Sequence, residues 1–236
     1  GKPHDTLSRD EQLRITEGWG VKASGSQRPV ENFMQEYFQH SMAVAEISRR
    51  FVSRHRPSSL SAKVHRAFVT HRINEKFVLS PTELGVSSDD VSDVCSSLDD
   101  IMRIYHSAAT YRVEISPQLA EAITRKASEL EPGPTPLATK LFMELLSKTG
   151  RLSKTLRSMH DTNVLELIIP EWKHVRCLLQ FNQYHHFTVD EHTLKCLEIC
   201  EKFGDEDSQL GAAYQGIRHR ELLHLALILH DSAKGY

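Results

Sequence analysis

The amino-acid sequence predicts a mainly α protein, built as a multi-helix bundle, on three observations. Apolar residues recur at three- to four-residue spacing through most of the chain. Two helix starts are plainly written, Ser116-Pro117 and Thr135-Pro136, each an N-cap residue followed by proline in the first turn. No alternating strand pattern, internal repeat or glycine-rich phosphate loop breaks that periodicity.

Residues 1–28 are polar and rich in glycine and serine, with a short helix expected from Asp10 to Thr16. From Pro29, the spacing of Phe33, Met34, Tyr37, Phe38, Met42, Ala45, Ile47 and Phe51 predicts an amphipathic helix of about twenty residues. Arg49, Arg50, Arg54 and Arg56 crowd its end, which suits the negative pole of the helix. They read as a solvated helix end or, more sharply, as an anion contact. Across 57–80 the pattern is weakest; Phe77-Val78-Leu79 reads as a short strand, and Ser80 to Glu83 as a turn or helix start. Ser88-Asp89-Asp90 is expected to open a helix carrying Val91, Val94, Leu98, Ile101, Met102 and Tyr105.

The Ser116 start leads into Leu119, Ile123, Ala127 and Leu130, ended by Glu131-Pro132-Gly133-Pro134. The Thr135 start leads into Leu137, Leu141, Phe142, Leu145 and Leu146, with Gly150 as the stop. A helix from Leu152 to Met159 follows, then a short one opened by Asp161-Thr162-Asn163 and broken at Pro170.

Charge and cysteine usage exclude several classes. A formal net charge of -2 lacks the basic excess of a non-specific nucleic-acid binder. No apolar run reaches membrane-span length, and the first residues form no signal peptide. Cys95, Cys177, Cys196 and Cys200 make no disulfide framework in 236 residues, so reduced thiols in a cytoplasmic protein are expected. Cys196 and Cys200, four apart on one helix, are a weak zinc half-site with no second pair.

The chemistry-bearing residues lie towards the end of the chain. Thr188-Val189-Asp190-Glu191 has the form of a capping box, which sets His192 in the first turn of a helix running to Gly204. The helix pole favours a neutral imidazole there, while Asp190 and Glu191 favour the charged one. After a polar loop from Gly204 to Gly216, residues Glu221 to His230 are apolar on nearly all sides and predict a buried helix. That helix delivers His230-Asp231 at its end. Imidazole plus carboxylate, completed by a histidine from another helix, is ordinary ligation for a hydrolytic Mg²⁺, Mn²⁺, Zn²⁺ or Fe²⁺ site; Mg²⁺ or Mn²⁺ is the expected ion. Against this stands the plainer reading, since a buried His-Asp doublet is more often a hydrogen-bonded core pair than a ligand set. His224 reads as a packing histidine.

His192 together with His230-Asp231-Ser232-Ala233-Lys234-Gly235 resembles the HD phosphohydrolase superfamily. The resemblance narrows further. Ile169-Pro170-Glu171-Trp172, Gln180 to His185, Thr188 to Leu194 and His230 to Gly235 resemble, in order, the uridylyl-removing region of the bacterial PII-protein uridylyltransferases. Val30 to Phe38 resembles the helix after that family's nucleotidyltransferase domain, and Asp5-Thr6-Leu7 with Glu11-Gln12 its end. The likeness covers nearly the whole chain, most loosely over 52–115.

What the resemblance implies is a fragment of a bifunctional nitrogen-regulation enzyme, which adds UMP from UTP to a tyrosine of the PII signal protein and removes it by phosphodiester hydrolysis. It implies His192, His230 and Asp231 as metal ligands, Lys234 as a phosphate contact and His185 near the substrate mouth. It implies three regions: 1–28 trailing a nucleotidyltransferase domain, 29–133 a helical linker, and 134–236 the uridylyl-removing region, with the HD-type domain starting from about 181. The expected partners are PII and uridylylated PII, with no nucleic acid or membrane. The nucleotidyltransferase motif, the glutamine-sensing ACT domains and the superfamily's final aspartate are absent from these residues, so the HD-type domain is expected to be truncated and the fragment's hydrolytic site incomplete. An HD-type phosphohydrolase of a free nucleotide and a non-catalytic helical regulatory module are the alternatives.

Overall fold

The computed structural model describes residues 7–55, 71–72, 76–86, 94–181 and 187–234. Helix α1, Arg9–Gly18, opens on a full capping box between Ser8 and Glu11. Helix α2, Pro29–His55, runs 27 residues, longer than the periodicity suggested, because no helix breaker intervenes before Pro57. Its first turns bury Val30, Phe33 and Met34 against Ile15, Val21, Leu179 and Phe181. The later apolar positions Val44, Ile47, Phe51 and Val52 are exposed. Glu31 accepts the Phe181 amide at 3.0 Å and Gln35 donates to the Arg176 carbonyl at 2.9 Å, so the start of α2 is tied to the 174–181 segment.

A four-stranded sheet follows: β1 (His71–Arg72), β2 (Phe77–Leu79), β3 (Glu83–Val86) and β4 (Glu114–Ile115), in that spatial order. β2 and β3 form a hairpin, Leu79 opposite Leu84, closed by Ser80, whose hydroxyl accepts the Glu83 amide at 2.9 Å. β4 adds in parallel to β3. Thus the expected strand at 77–79 exists and 80–83 is its turn. Ser88-Asp89-Asp90 and Val91 lie outside the described residues; of the positions expected on that helix, Leu98, Ile101, Met102 and Tyr105 lie on α3, Leu98–Tyr111. Ser97 caps α3, accepting the Asp100 amide at 3.2 Å.

Helices α4 (Pro117–Ala127) and α5 (Pro136–Ser147) start where Ser116-Pro117 and Thr135-Pro136 place them. α5 ends before Gly150, which lies in the next turn at φ +90. Helix α6, Leu152–Asp161, includes Asp161 as its last residue, so Asp161 does not open the short helix α7, Leu165–Ile168. A further single turn, α8, spans Trp172–Val175. Helix α9, Val189–Lys202, leads into a 3-10 turn at Phe203–Asp205. Helix α10, Gln209–Gly216, occupies the stretch expected to be a polar loop. Ser208 caps it, and Gly211 permits its close approach to the preceding turn, since a Cβ there would lie 2.0 Å from the Glu206 carbonyl oxygen.

Helix α11, Arg220–Leu229, corrects another expectation. Its His224 and Ile228 are buried, but Leu222, Ala226 and Leu229 face outward, so it packs on one side only. That side meets α5 and α9. His224 is a core residue: its Nδ1 donates to the Leu146 carbonyl at 2.7 Å and its Nε2 accepts the Tyr214 hydroxyl at 3.0 Å. One apolar core cluster draws its buried residues from Leu84 to Ile228. Among the described residues no helix is long and apolar enough to cross a membrane.

Beneath α9 lies a polar cluster inside this core. His160 and Asp190 are both fully buried. Trp172 Nε1–H donates to His160 Nδ1 at 3.1 Å, which places the imidazole proton on Nε2. Nε2 faces Asp190 Oδ2 at 3.5 Å, an electrostatic contact too long for a good hydrogen bond. Burial, helped by Arg176 and Arg157, pulls the His160 pKa from 6.5 down to about 3. A second proton would also cost the Trp172 bond. Because the folded pKa is depressed, His160 contributes stability above pH 6.5 that is lost as pH falls towards 3. Burial pushes Asp190 the other way, so its contribution has the opposite sign.

Unfolding by urea across pH should separate the two. His160→Gln keeps one acceptor and one donor but cannot titrate, and should remove up to about 1.4 kcal/mol per pH unit of acid sensitivity in that window. An unchanged slope would mean that His160 does not titrate with unfolding.

Candidate metal centre

Helices α9 and α11 pack side by side, and the site sits between the start of one and the end of the other. Thr188 is the N-cap of α9, but the capping box does not form. Glu191 is drawn away to Arg157, and the Thr188 hydroxyl bonds the Asp190 carboxylate. Asp190 takes over the anchoring, accepting the Cys177 amide at 2.8 Å and the Glu191 amide at 2.9 Å. One turn of helix then carries His192 to the surface, with its amide on the Thr188 carbonyl at 2.8 Å.

At the end of α11 the His230 Nδ1 donates to the Leu227 carbonyl at 2.7 Å. That bond fixes the tautomer and leaves the Nε2 lone pair for another partner. Nε2 lies 3.3 Å from Asp231 Oδ2. The His192 and His230 rings stand 5.6 Å apart, centroid to centroid. One donor atom from each of His192, His230 and Asp231 falls within 4.8 Å of the others. Two ligands of one ion at ordinary bond lengths lie at most about 4.2 Å apart, so this set fits a single divalent cation with small side-chain adjustment. The donor set also fits chemically: two neutral imidazoles and a carboxylate suit a borderline or hard divalent metal. His230 is exposed and the other two are half-buried.

Of the other residues singled out by the sequence, Lys234 is adjacent, its ammonium 2.8 Å from Asp231 Oδ2. It approaches the same carboxylate oxygen as His230. His185 lies outside the described residues. One neighbour was not singled out for this site. Cys196, one turn along α9, holds its Sγ 3.6 Å from His192 Nε2. Its i, i+4 spacing from His192 was the available signal; the sequence reading had paired it with Cys200 instead. Burial, with a contribution from Asp231, pushes the Cys196 thiol up, so without a metal it stays protonated. A cavity of about 490 Å³ lies elsewhere, with Tyr105, Arg49, Arg151 and Asp161 in its wall. No histidine lines it, and two of its arginines are paired, Arg49 with Glu46 and Arg151 with Glu114.

Fold and cluster together define a mainly helical protein with a three-donor cluster of metal-ligating type at a helix–helix junction. By sequence its relatives are bifunctional uridylyltransferase/uridylyl-removing enzymes. A family model described as GlnD PII-uridylyltransferase matches residues 1–52. The whole chain is 31% identical, over 247 aligned residues, to the bifunctional uridylyltransferase/uridylyl-removing enzyme of Azospirillum brasilense. It is 30% identical over 249 residues to the enzyme of that name from Cereibacter sphaeroides. The chain spans 26% of the length of each. No solved structure matches it.

Lys234 and a cation compete for one carboxylate. Lys234→Met should therefore tighten Mn²⁺ binding about two- to fivefold, the worth of ~0.5–1 kcal/mol for a solvent-screened pair. Isothermal titration would show it; weaker binding would mean that Lys234 supports the ligand rather than opposing the metal.

Proposed function

We propose that the chain is part of a cytoplasmic enzyme of nitrogen regulation that adds UMP to the PII signal protein and removes it, and that His192, His230 and Asp231 serve the removal. One observation carries the reading: side chains 38 residues apart converge on one point, in a chain whose relatives are named for removing uridylyl groups. In this reading residues 1–28 trail the nucleotidyltransferase domain, 29–133 form a linker, and 134–236 hold the removing site.

His192 and His230 would hold a divalent cation through ring nitrogens, and Asp231 through its carboxylate, with Mg²⁺ or Mn²⁺ as the expected ion. Such an ion, when bound, acidifies water and neutralises phosphate charge, the two needs of phosphodiester hydrolysis. The chain's own part is positional. Leu227 keeps the His230 proton on Nδ1, so Nε2 stays available. Asp190 holds the start of α9, and with it His192. Lys234, beside Asp231, would contact the substrate phosphate. The exposure of His230 lets a tyrosyl phosphodiester on a protein surface reach the cluster.

The test is UMP release from uridylylated PII by the full-length protein, with free nucleotides as the comparison. His192→Ala and Asp231→Asn should each slow release about a thousandfold, ~4 kcal/mol of lost transition-state stabilisation. Hydrolysis of free nucleotides with uridylylated PII left intact would replace this reading with a free-nucleotide phosphohydrolase. Full activity in both variants would move the reaction away from this cluster.

A further inference from the structure

Helix α2 turns a mixed side to the rest of the chain and an apolar side to solvent. On the inner side Gln35, Phe38, Met42 and Glu46, three or four residues apart, are half-buried. Gln35 donates to the Arg176 carbonyl, and Met42 Sδ meets the Cys177 thiol at 3.1 Å. Glu46 and Arg49 face Asp161 and Arg176 across a cavity of about 300 Å³. On the outer side Tyr37, Val44 and Phe51 recur every seven residues, close to two helical turns, with Ile47 between them. Val44, Ile47 and Phe51 are 64%, 67% and 62% exposed. The same face starts at Val30 and Phe33, which are buried with Ile15 and Val21 packed on them. The Phe33 and Tyr37 rings stand 6.4 Å apart, so the covered part of the stripe runs straight into the bare part. An apolar stripe on a helix belongs against a core, and this one points away from the core of its own chain. Single apolar residues at a surface are ordinary; a contiguous stripe of them marks an interface.

We propose that this face of α2, from Tyr37 to Phe51, docks against the nucleotidyltransferase unit that residues 1–28 trail, an inference that rests on the function proposed above. Helix α2 is then a wall shared by the transferring and the removing parts of one polypeptide. Three observations favour this occupant over a second copy or a separate protein. The stretch matched by the PII-uridylyltransferase family model, residues 1–52, takes in α1 and the whole stripe and stops one residue past Phe51. Within that stretch Ile15 and Val21 already cover the start of the face, so a cover from the same unit extends what is there. The chain spans 26% of the length of its relatives, which leaves most of such a polypeptide to supply the cover.

Hydroxyl-radical footprinting of the full-length protein reads these side chains directly. Val44, Ile47 and Phe51 should be oxidised about tenfold more slowly than in the urea-unfolded protein, as befits the packed centre of an interface. The protection should hold without PII and at every protein concentration. With p-benzoylphenylalanine in place of Ile47, irradiation should cross-link position 47 to the nucleotidyltransferase unit of the same chain, located by peptide mass spectrometry. Oxidation close to the unfolded rate overturns the proposal. So does protection that fades on dilution, where the cover is a second copy, or that appears only with PII, where it is the partner protein. Assays of UMP transfer and release on the same preparation separate this inference from the one beneath it. A protein that transfers and releases UMP with the stripe still reactive keeps the proposed function and loses the docking face. A protein that does neither removes both.

Discussion

The buried carboxylate of Asp190 is the constraint on which the site depends. A charge with no solvent exposure is tolerated only if its hydrogen-bonding capacity is met. Here it is met by the Cys177 amide, the Glu191 amide and the Thr188 hydroxyl, with the His160 imidazole alongside. These partners come from three parts of the chain: the end of α6, the turn after α8, and the start of α9. Cys177 sits in the left-handed region at φ +58, which costs a residue with a side chain about 1–2 kcal/mol. The Asp190 bond helps offset that cost. Asp190 thus anchors the first turn of the helix that presents His192.

From that anchor the geometry follows by packing. α9 lies on α6 and α11 lies across α9 and α5. His224, buried in α11 and bonded to the Leu146 carbonyl and the Tyr214 hydroxyl, locks the rotation of that helix. With both helices fixed, the end of one must meet the start of the other, and His230-Asp231 arrives beside His192. The polar residues divide cleanly by depth. His160, Asp190 and His224 lie within the core and hold helices in place, whereas His192, His230 and Asp231 are half-buried or exposed.

Helix starts were the most legible part of the fold, because N-cap hydroxyls and first-turn prolines act within four residues. Ser116-Pro117 and Thr135-Pro136 name their helices to the residue. Where a local signal has a competitor it misleads. The capping-box pattern at Thr188 fails because Arg157, distant in sequence, takes Glu191. The stretch 204–216 reads as polar loop because the helix within it, α10, is short and mostly exposed; its reason to form is Tyr214, buried against His224. The apolar run of α11 suggests complete burial, yet Leu222 and Leu229 are left uncovered by the described residues.

The sequence by itself determined the helical class, most helix boundaries, and the residue types of the candidate site with their place near helix ends. These rest on backbone geometry and short-range hydrogen bonding, which are local in the chain. Only the tertiary structure decided which histidines are ligand-like and which are structural. His160, His192, His224 and His230 are the same residue type, three of them within helices and one at a helix end, and nothing local separates them. Depth separates them, and so does the partner that claims each ring nitrogen: Trp172 and Tyr214 inside the core, the Leu227 carbonyl and the neighbouring donors at the surface. Those partners lie across helix–helix contacts, and a contact between helices is a property of the packed chain.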